Sequence, residues 1–231
     1  MLGENNWKEL EDKIGYCFQD RNLLRQALTH SSFANEQRIN RRKDYERLEF
    51  LGDAVLELVS SEFLFQHYPD LSEGNLTKKR STLVCGTSLA FCARDLELDR
   101  YILLGKGEEA TGGRGRESII SDVMEALIGG IYLDGGYEPA AAFIHCFILS
   151  DLENKQLFYD SKTLLQEYVQ RDSRTSLHYE VVNESGPDHA KEFVIEAVIN
   201  GRVAGRGTGK TKKAAEQQAA YEALLAARAA E

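Results

Sequence analysis

Two segments of the chain carry carboxylates at helical spacing inside otherwise apolar runs. In ERLEFLGDAVLELV, Glu46 to Val59, the acids Glu46, Glu49 and Asp53 recur at intervals of three and four residues; in ESIISDVMEALIGGIYLD, Glu117 to Asp134, Asp122 and Glu125 stand three apart. Each helical residue advances about 100° around the axis, so each set gathers on one face. Measured from Leu48, the apolar residues of the first segment cover an arc of about 240°. Glu46, Glu49 and Asp53 fill the remaining wedge, which predicts a helix buried on most sides with its acids pointing into a confined cleft. Gly52 is tolerable there if a facing backbone comes close. Carboxylates crowded together raise one another's pKa or demand a counter-charge. Oxygen-only ligands select hard ions, so the natural partner is Mg²⁺ or Mn²⁺. A solvated acidic face is the competing reading, since spacing alone does not show that the two helices meet.

The elements that position these acids follow from periodicity. Up to about Ser150 the pattern is helical throughout: Trp7 to Lys13, Arg21 to His30, Tyr45 to His67, Gly74 to Leu96, Glu117 to Leu133 and Glu138 to Ser150. GKGEEATGGRGR, Gly105 to Arg116, reads as an exposed, mobile loop. Residues 151–159 read as a polar linker. Beyond it, SKTLLQEYVQ at Ser161 to Gln170 is a short amphipathic helix. It is followed by strand patterns at Leu177 to Val182, Glu192 to Ile199 and Arg202 to Gly205, and by an Ala-rich helix from Lys210 to Ala229. The expected organisation is an all-α domain over 1–150 and an α+β domain of order α-β-β-β-α over 160–229, an antiparallel meander with both helices on one face.

The net charge of −9 argues, taken whole, against a polyanionic partner. Its distribution matters more. Residues 1–155 hold 18 of the 28 basic and 26 of the 37 acidic side chains, whereas Arg202 to Lys213 contains Arg202, Arg206, Lys210, Lys212 and Lys213 and no acid. An acidic body with a local basic stripe needs an explanation. Cys17, Cys85, Cys92 and Cys146 lie scattered in apolar surroundings and read as reduced core thiols. No apolar run is long enough to cross a membrane, and the charged N-terminus does not read as a signal peptide, so the cytoplasm is the expected location.

AGRGTGKT, Ala204 to Thr211, loosely fits a nucleotide-binding P-loop. Such a loop opens a parallel α/β domain, but only one helical pattern follows Thr211. The better reading is a Gly-rich turn that delivers Lys210, Lys212 and Lys213 to a helix N-terminus, where free N–H groups and ammonium groups both favour phosphate.

ERLEFLGDAVLELV closely resembles the signature stretch of the ribonuclease III family, and ESIISDVMEALIGGIYLD resembles that family's second acidic motif; ALTHSS at Ala27 to Ser32 and LSEG at Leu71 to Gly74 extend the likeness. The resemblance implies a helical endonuclease domain in which Glu49, Asp53, Asp122 and Glu125 are metal ligands. It implies Asp53 and Glu125 as catalytic residues, Glu46 at the cleft rim, and Phe50 as an aromatic inserted into the partner of a homodimer. Glu57 shares the acidic face but lies outside the family's catalytic set and reads as solvated. The C-terminal pattern, with SKTLLQEYVQ, SGPDHAKEF and GTGKTKKAAEQQAA, resembles a double-stranded RNA-binding domain. By that resemblance Thr163, Gln166, Glu167 and Gln170 touch one minor groove, Pro187 and His189 reach the next, and Lys210, Lys212 and Lys213 bridge the phosphates between.

The expected activity is Mg²⁺-dependent hydrolysis of double-stranded RNA, with Mn²⁺ able to substitute, leaving 5′-phosphate and 3′-hydroxyl ends with short 3′ overhangs. The resemblance implies rRNA precursors and structured mRNA as substrates and processing of rRNA, mRNA and tRNA as the role. Two alternatives stay open: a non-catalytic double-stranded RNA-binding protein, and a metal-carboxylate hydrolase of small phosphate esters. The second domain discriminates against the latter, because a small substrate gains nothing from a module that spans a duplex.

Overall fold

The computed structural model describes residues 4–37, 43–150, 157–158, 161–170, 175–186, 191–209 and 211–229. The chain divides into two compact units, Met1–Ser150 and Asp151–Glu231.

The first unit is helical: α1 (Glu4–Ile14), α2 (Arg21–Ala27), α3 (Ser31–Glu36), α4 (Glu46–His67), α5 (Glu73–Val84), α6 (Gly86–Asp95), α7 (Lys106–Ala110), α8 (Glu117–Gly135) and α9 (Tyr137–Phe147). Among its described residues there is no strand, only one isolated bridge between Thr29 and Leu103. The two acidic segments form α4 and α8, which pack on each other at the centre. Leu48, Val55, Leu56, Val59 and Leu64 of α4 are buried, as are Val123, Met124, Leu127, Ile128 and Ile131 of α8. Burying this apolar surface drives the unit together. Helices α2, α6 and α9 pack around α8.

Several expectations need correction. Helix α4 is not buried on most sides: Phe50, Leu58 and Phe65 are 82%, 57% and 74% exposed. Phe50, Leu58 and the exposed Ala54 lie within the arc that the apolar count had buried, and Phe65 continues their stripe beyond it; the exposure of Phe50 is compatible with its expected insertion into a partner. The expected helix from Gly74 to Leu96 breaks at Cys85, whose backbone is extended (φ −70°, ψ 154°) and opens α6. Gly86 follows, with room for no more than a snug Cβ against Ser121 of α8. The expected exposed loop carries regular structure. It forms α7 and a 3₁₀ turn, Gly113–Gly115. Arg114 pins it by pairing with Glu109 and donating to the carbonyls of Asp99 and Ile102, at 2.7 and 2.9 Å, while Arg116 pairs with Glu108. Only Cys92 is a core thiol; Cys17 and Cys146 are exposed and Cys85 half-buried.

The second unit runs α10 (Ser161–Gln170), β1 (Leu177–Ser185), β2 (Glu192–Ile199), β3 (Arg202–Gly209) and α11 (Lys212–Ala229). The strands form an antiparallel sheet in the order β1-β2-β3, with register pairs such as Tyr179–Ala197 and Glu196–Arg206. Helix α11 lies on β2 and β3 and carries α10. Leu157 and Phe158, expected in the linker, are buried in this unit, where Gln217 Nε2 donates to the Phe158 carbonyl at 2.6 Å.

AGRGTG is neither P-loop nor turn. Gly205, Gly207 and Gly209 belong to β3 and face α11. A Cβ on Gly205 would lie 2.3 Å from the Ala219 carbonyl oxygen, one on Gly207 2.3 Å from that of Ala215, and one on Gly209 2.6 Å from the Ala215 nitrogen. The glycines let helix and strand backbones touch.

Candidate metal centre and RNA-binding surface

The acidic helices cross where neither has a side chain. A Cβ on Gly52 would lie 1.8 Å from the carbonyl oxygen of Glu125, and one on Gly129 2.2 Å from that of Leu48. Backbone therefore meets backbone, and Glu49, about one turn before Gly52, is brought against the acidic face of α8. One carboxylate oxygen each from Glu49, Asp122 and Glu125 lies within 4.8 Å of the others, and all three side chains are partly buried. Oxygen ligands at about 2.1 Å from Mg²⁺ span up to about 4.2 Å across the ion, so small side-chain rotations suffice to close this triad on a cation.

Electrostatics favour the same occupant. Burial pushes Glu125 up to about 8, helped by the charges of Asp53, Glu49 and Asp122. Burial likewise takes Glu49 to about 7, with Asp122, Glu46 and Asp53 adding to it. Asp122 is raised by burial, an effect opposed by hydrogen bonds from Tyr45 and Ser121 and by the charge of His30. Asp53 is raised by burial and by Glu57. The charges acting on Glu49 and Glu125 are all negative, a repulsion that a divalent cation would relieve.

Of the sequence-predicted ligands, Glu49, Asp122 and Glu125 are brought together. Asp53 is exposed beside the triad and outside its tight grouping, although its charge reaches both Glu49 and Glu125. Glu46 is exposed and outside the triad, and its charge raises Glu49 more than that of Asp53 does. Glu57 is exposed.

One participant was not singled out from sequence. Tyr45, immediately before α4, is 4% exposed, and its hydroxyl donates to Asp122 Oδ2 at 3.3 Å. Its backbone N–H donates to the Thr29 carbonyl at 2.9 Å. Its ring meets the His30 imidazole edge-on, centroids 5.6 Å apart. A single aromatic at the start of the expected helix carries no spacing signal of its own; its place beside the signature is the only hint.

On the second unit, Leu165 and Val169 anchor α10 in the core and leave Thr163, Gln166, Glu167 and Gln170 exposed together on the opposite side. Lys212 and Lys213 are exposed in the first turn of α11, where Thr211 Oγ1 accepts from the Ala214 N–H at 3.1 Å. Pro187, His189 and Lys210 lie outside the described residues.

Residues 20–152 match the family model described as ribonuclease-III-like. A protein from Listeria welshimeri named Ribonuclease 3 is 47% identical over 95% of this chain and 97% of its own length. The chain belongs to the ribonuclease III family. A second relative of that name, from Shouchella clausii, is 49% identical over 97% of this chain and 88% of its own length. A solved nuclease domain of ribonuclease III from Campylobacter jejuni is 44% identical, with a TM-score of 0.57 over 61% of this chain and 94% of that one; its description names a flexible region involved in dimer formation. Residues 161–226 match the double-stranded RNA binding motif. The two matches thus cover both units: a ribonuclease-III-like domain in the first, and a double-stranded RNA binding motif in the second.

Proposed function

We propose that this member of the ribonuclease III family is a double-stranded-RNA-specific endoribonuclease that works with Mg²⁺ held by Glu49, Asp122 and Glu125. The observation that carries this is the convergence of three carboxylates at the Gly52–Gly129 crossing, in a chain that also carries a duplex-binding module. When bound, Mg²⁺ supplies Lewis acidity to the phosphodiester and to the attacking water, and Mn²⁺ can substitute. The protein's part is positional. Glu49, Asp122 and Glu125 fix the ion in the cleft, and the exposed Asp53 beside them orients the attacking water. Asp53 and Glu125 are thus the catalytic pair of this reading, and Glu46 faces substrate at the rim. In-line attack leaves a 5′-phosphate and a 3′-hydroxyl.

The second unit grips the duplex in a shape-selective way, Thr163, Gln166, Glu167 and Gln170 lying in a minor groove and Lys212 and Lys213 on flanking phosphates. Phe50 and the stripe beside it dock onto a second copy, whose own site cuts the opposite strand and so produces short 3′ overhangs. Structured transcripts in the cytoplasm, rRNA precursors among them, are the substrates of this reading.

The test is cleavage of a long RNA duplex with and without Mg²⁺, beside single-stranded RNA and duplex DNA, for wild type and Glu125→Gln. Only the RNA duplex with Mg²⁺ is cut by wild type. The variant loses more than about a hundredfold in rate, beyond the loss of an outer-shell partner, yet retains duplex binding in Ca²⁺. Wild-type cutting by the variant at low millimolar Mg²⁺ removes Glu125 from the site.

A further inference from the structure

ALTHSS has a place in the sequence pattern but no task in the chemistry above, and the fold supplies one. Thr29 anchors the segment: its hydroxyl donates to the Arg25 carbonyl at 2.6 Å, and its own carbonyl accepts the Tyr45 N–H. His30 donates its backbone N–H to Leu103, at 3.0 Å, and its ring nitrogen Nδ1 is 2.7 Å from Ser32 Oγ. Ser32 Oγ also accepts the Gly105 N–H at 2.9 Å. The imidazole is therefore held at Nδ1 by Ser32, whose N–H also donates to it at 3.1 Å, and its T-shaped contact with Tyr45 braces the phenol ring. The phenol, in turn, is buried and directs its one O–H at Asp122.

We propose that Tyr45 is a positioning residue, clamped by Thr29, His30 and Ser32, whose hydroxyl holds the Asp122 carboxylate in the orientation that takes a divalent ion. Asp122 needs such help more than its neighbours do. Glu125 sits at the backbone contact between α4 and α8, so the crossing itself limits its position. Asp122 lies about one turn nearer the start of α8, away from that contact. Unconstrained, it would relieve its repulsion with Glu49 by rotating outward, and every ion bound would then have to reorder it. A donor fixed in advance removes that reordering, as outer-shell partners of metal ligands commonly do. The residue touches a ligand and neither substrate nor reacting atoms, so its effect falls on metal affinity and not on the chemical step.

This inference rests on the metal site proposed above, and the experiment separates the two. Mn²⁺ binding to the full chain is followed by electron paramagnetic resonance of the free ion for wild type, Tyr45→Phe and His30→Ala, with cleavage measured across a Mg²⁺ titration. Tyr45→Phe keeps the ring and removes only the donor. Its Mn²⁺ dissociation constant rises about tenfold, at the low end for an outer-shell partner. The Mg²⁺ needed for half-maximal cleavage rises in parallel, while the rate at saturating Mg²⁺ stays within about threefold and the metal-free melting temperature does not fall. His30→Ala, which leaves the hydroxyl but frees the ring, shifts metal binding in the same direction by less. If wild type binds no Mn²⁺, the metal site itself fails. If wild type binds and Tyr45→Phe binds equally well, or loses rate at saturation with unchanged metal affinity, the positioning role is overturned and the site stands.

Discussion

Replacing Gly52 by Ala tests whether the helix crossing sets the geometry of the metal site. The added Cβ would stand 1.8 Å from the Glu125 carbonyl oxygen, 2.6 Å from its carbon and 2.9 Å from the Gly129 nitrogen, all backbone atoms that cannot swing away. Restoring an ordinary 3.4 Å contact requires α4 and α8 to part by about 1.6 Å. Overpacking of a core commonly costs about 1–3 kcal/mol, and a clash with rigid backbone belongs at the upper end; the helix propensity gained by Gly→Ala returns about 1 kcal/mol. A net loss of about 2 kcal/mol lowers the melting temperature by roughly 4–8 °C in a unit of this size. The effect on the site is larger in kind. Carboxylate oxygens now within 4.8 Å would stand up to about 6.4 Å apart, beyond the roughly 4.2 Å that a shared Mg²⁺ spans. Calorimetry of the metal-free chain and Mn²⁺ titration check both halves, with Gly74→Ala as control. Gly74 lies in α5 with nothing within 4 Å of its would-be Cβ, so that change leaves stability equal or improved by up to about 1 kcal/mol. A Gly52→Ala protein that melts and binds Mn²⁺ like wild type would refute the account of the crossing.

Four further outcomes are expected. With Glu49 near 7 and Glu125 near 8 in the metal-free protein, protons must leave before the ion binds, so apparent Mn²⁺ affinity climbs from pH 6 to about 8 and then levels off; a flat profile contradicts it. Because both folded pKa values are raised, the metal-free native state holds more protons than the unfolded chain, and its stability falls as pH rises from about 4.5 to about 8, a loss that added Mg²⁺ offsets in thermal melts. Phe50→Arg removes an 82%-exposed aromatic from the proposed contact between copies; at about 1.5–3 kcal/mol per buried side chain, counted twice in a two-fold interface, the dimer weakens by at least about a hundredfold in sedimentation, and an unshifted equilibrium assigns the stripe elsewhere. Replacing Lys210, Lys212 and Lys213 by Ala weakens binding to two unrelated duplexes alike and flattens the slope of log affinity against log salt by somewhat under about one unit per lost contact; unchanged slopes remove them from the interface, and a loss on one duplex alone makes them readers of sequence.

What the sequence made legible was local and periodic. The acidic helices were readable because apolar residues at 3.6-residue spacing and acids in the gap leave one consistent face, and the α-β-β-β-α order followed from a change of period. The misses have a common physical origin: periodicity says that a side chain is apolar, not what covers it. Leu58, counted into the buried arc of α4, stands in solvent, as does Phe65 beyond it. In the Gly105–Arg116 segment Arg114 reaches the Asp99 and Ile102 carbonyls, contacts that composition does not announce. The bracket from Thr29 to Tyr45 joins two segments far apart in sequence, through one hydroxyl, one ring face and one backbone pair.

The glycines show how a pattern can be read correctly and assigned wrongly. AGRGTGKT, with the phosphate loop set aside, was read as a Gly-rich turn because its glycines were counted along the chain, whereas their reason lies across it. Gly205, Gly207 and Gly209 recur at a period of two, which places them on one face of a strand. Ala215, Ala219 and Ala223 recur at a period of four, along one side of a helix, and all three are buried. A two-period glycine run followed by a four-period alanine run is the pattern of a strand and helix whose backbones touch, and a phosphate loop has no use for the alanines. The same logic joins Gly52 to Gly129, each on the acidic side of its own helix. Two helices with glycine beside their acids can approach on that side more closely than any other pairing allows, and the approach forces the carboxylates together. The repulsion that results is what a bound cation would relieve, so in the proposed metal site the glycines matter as much as the acids do.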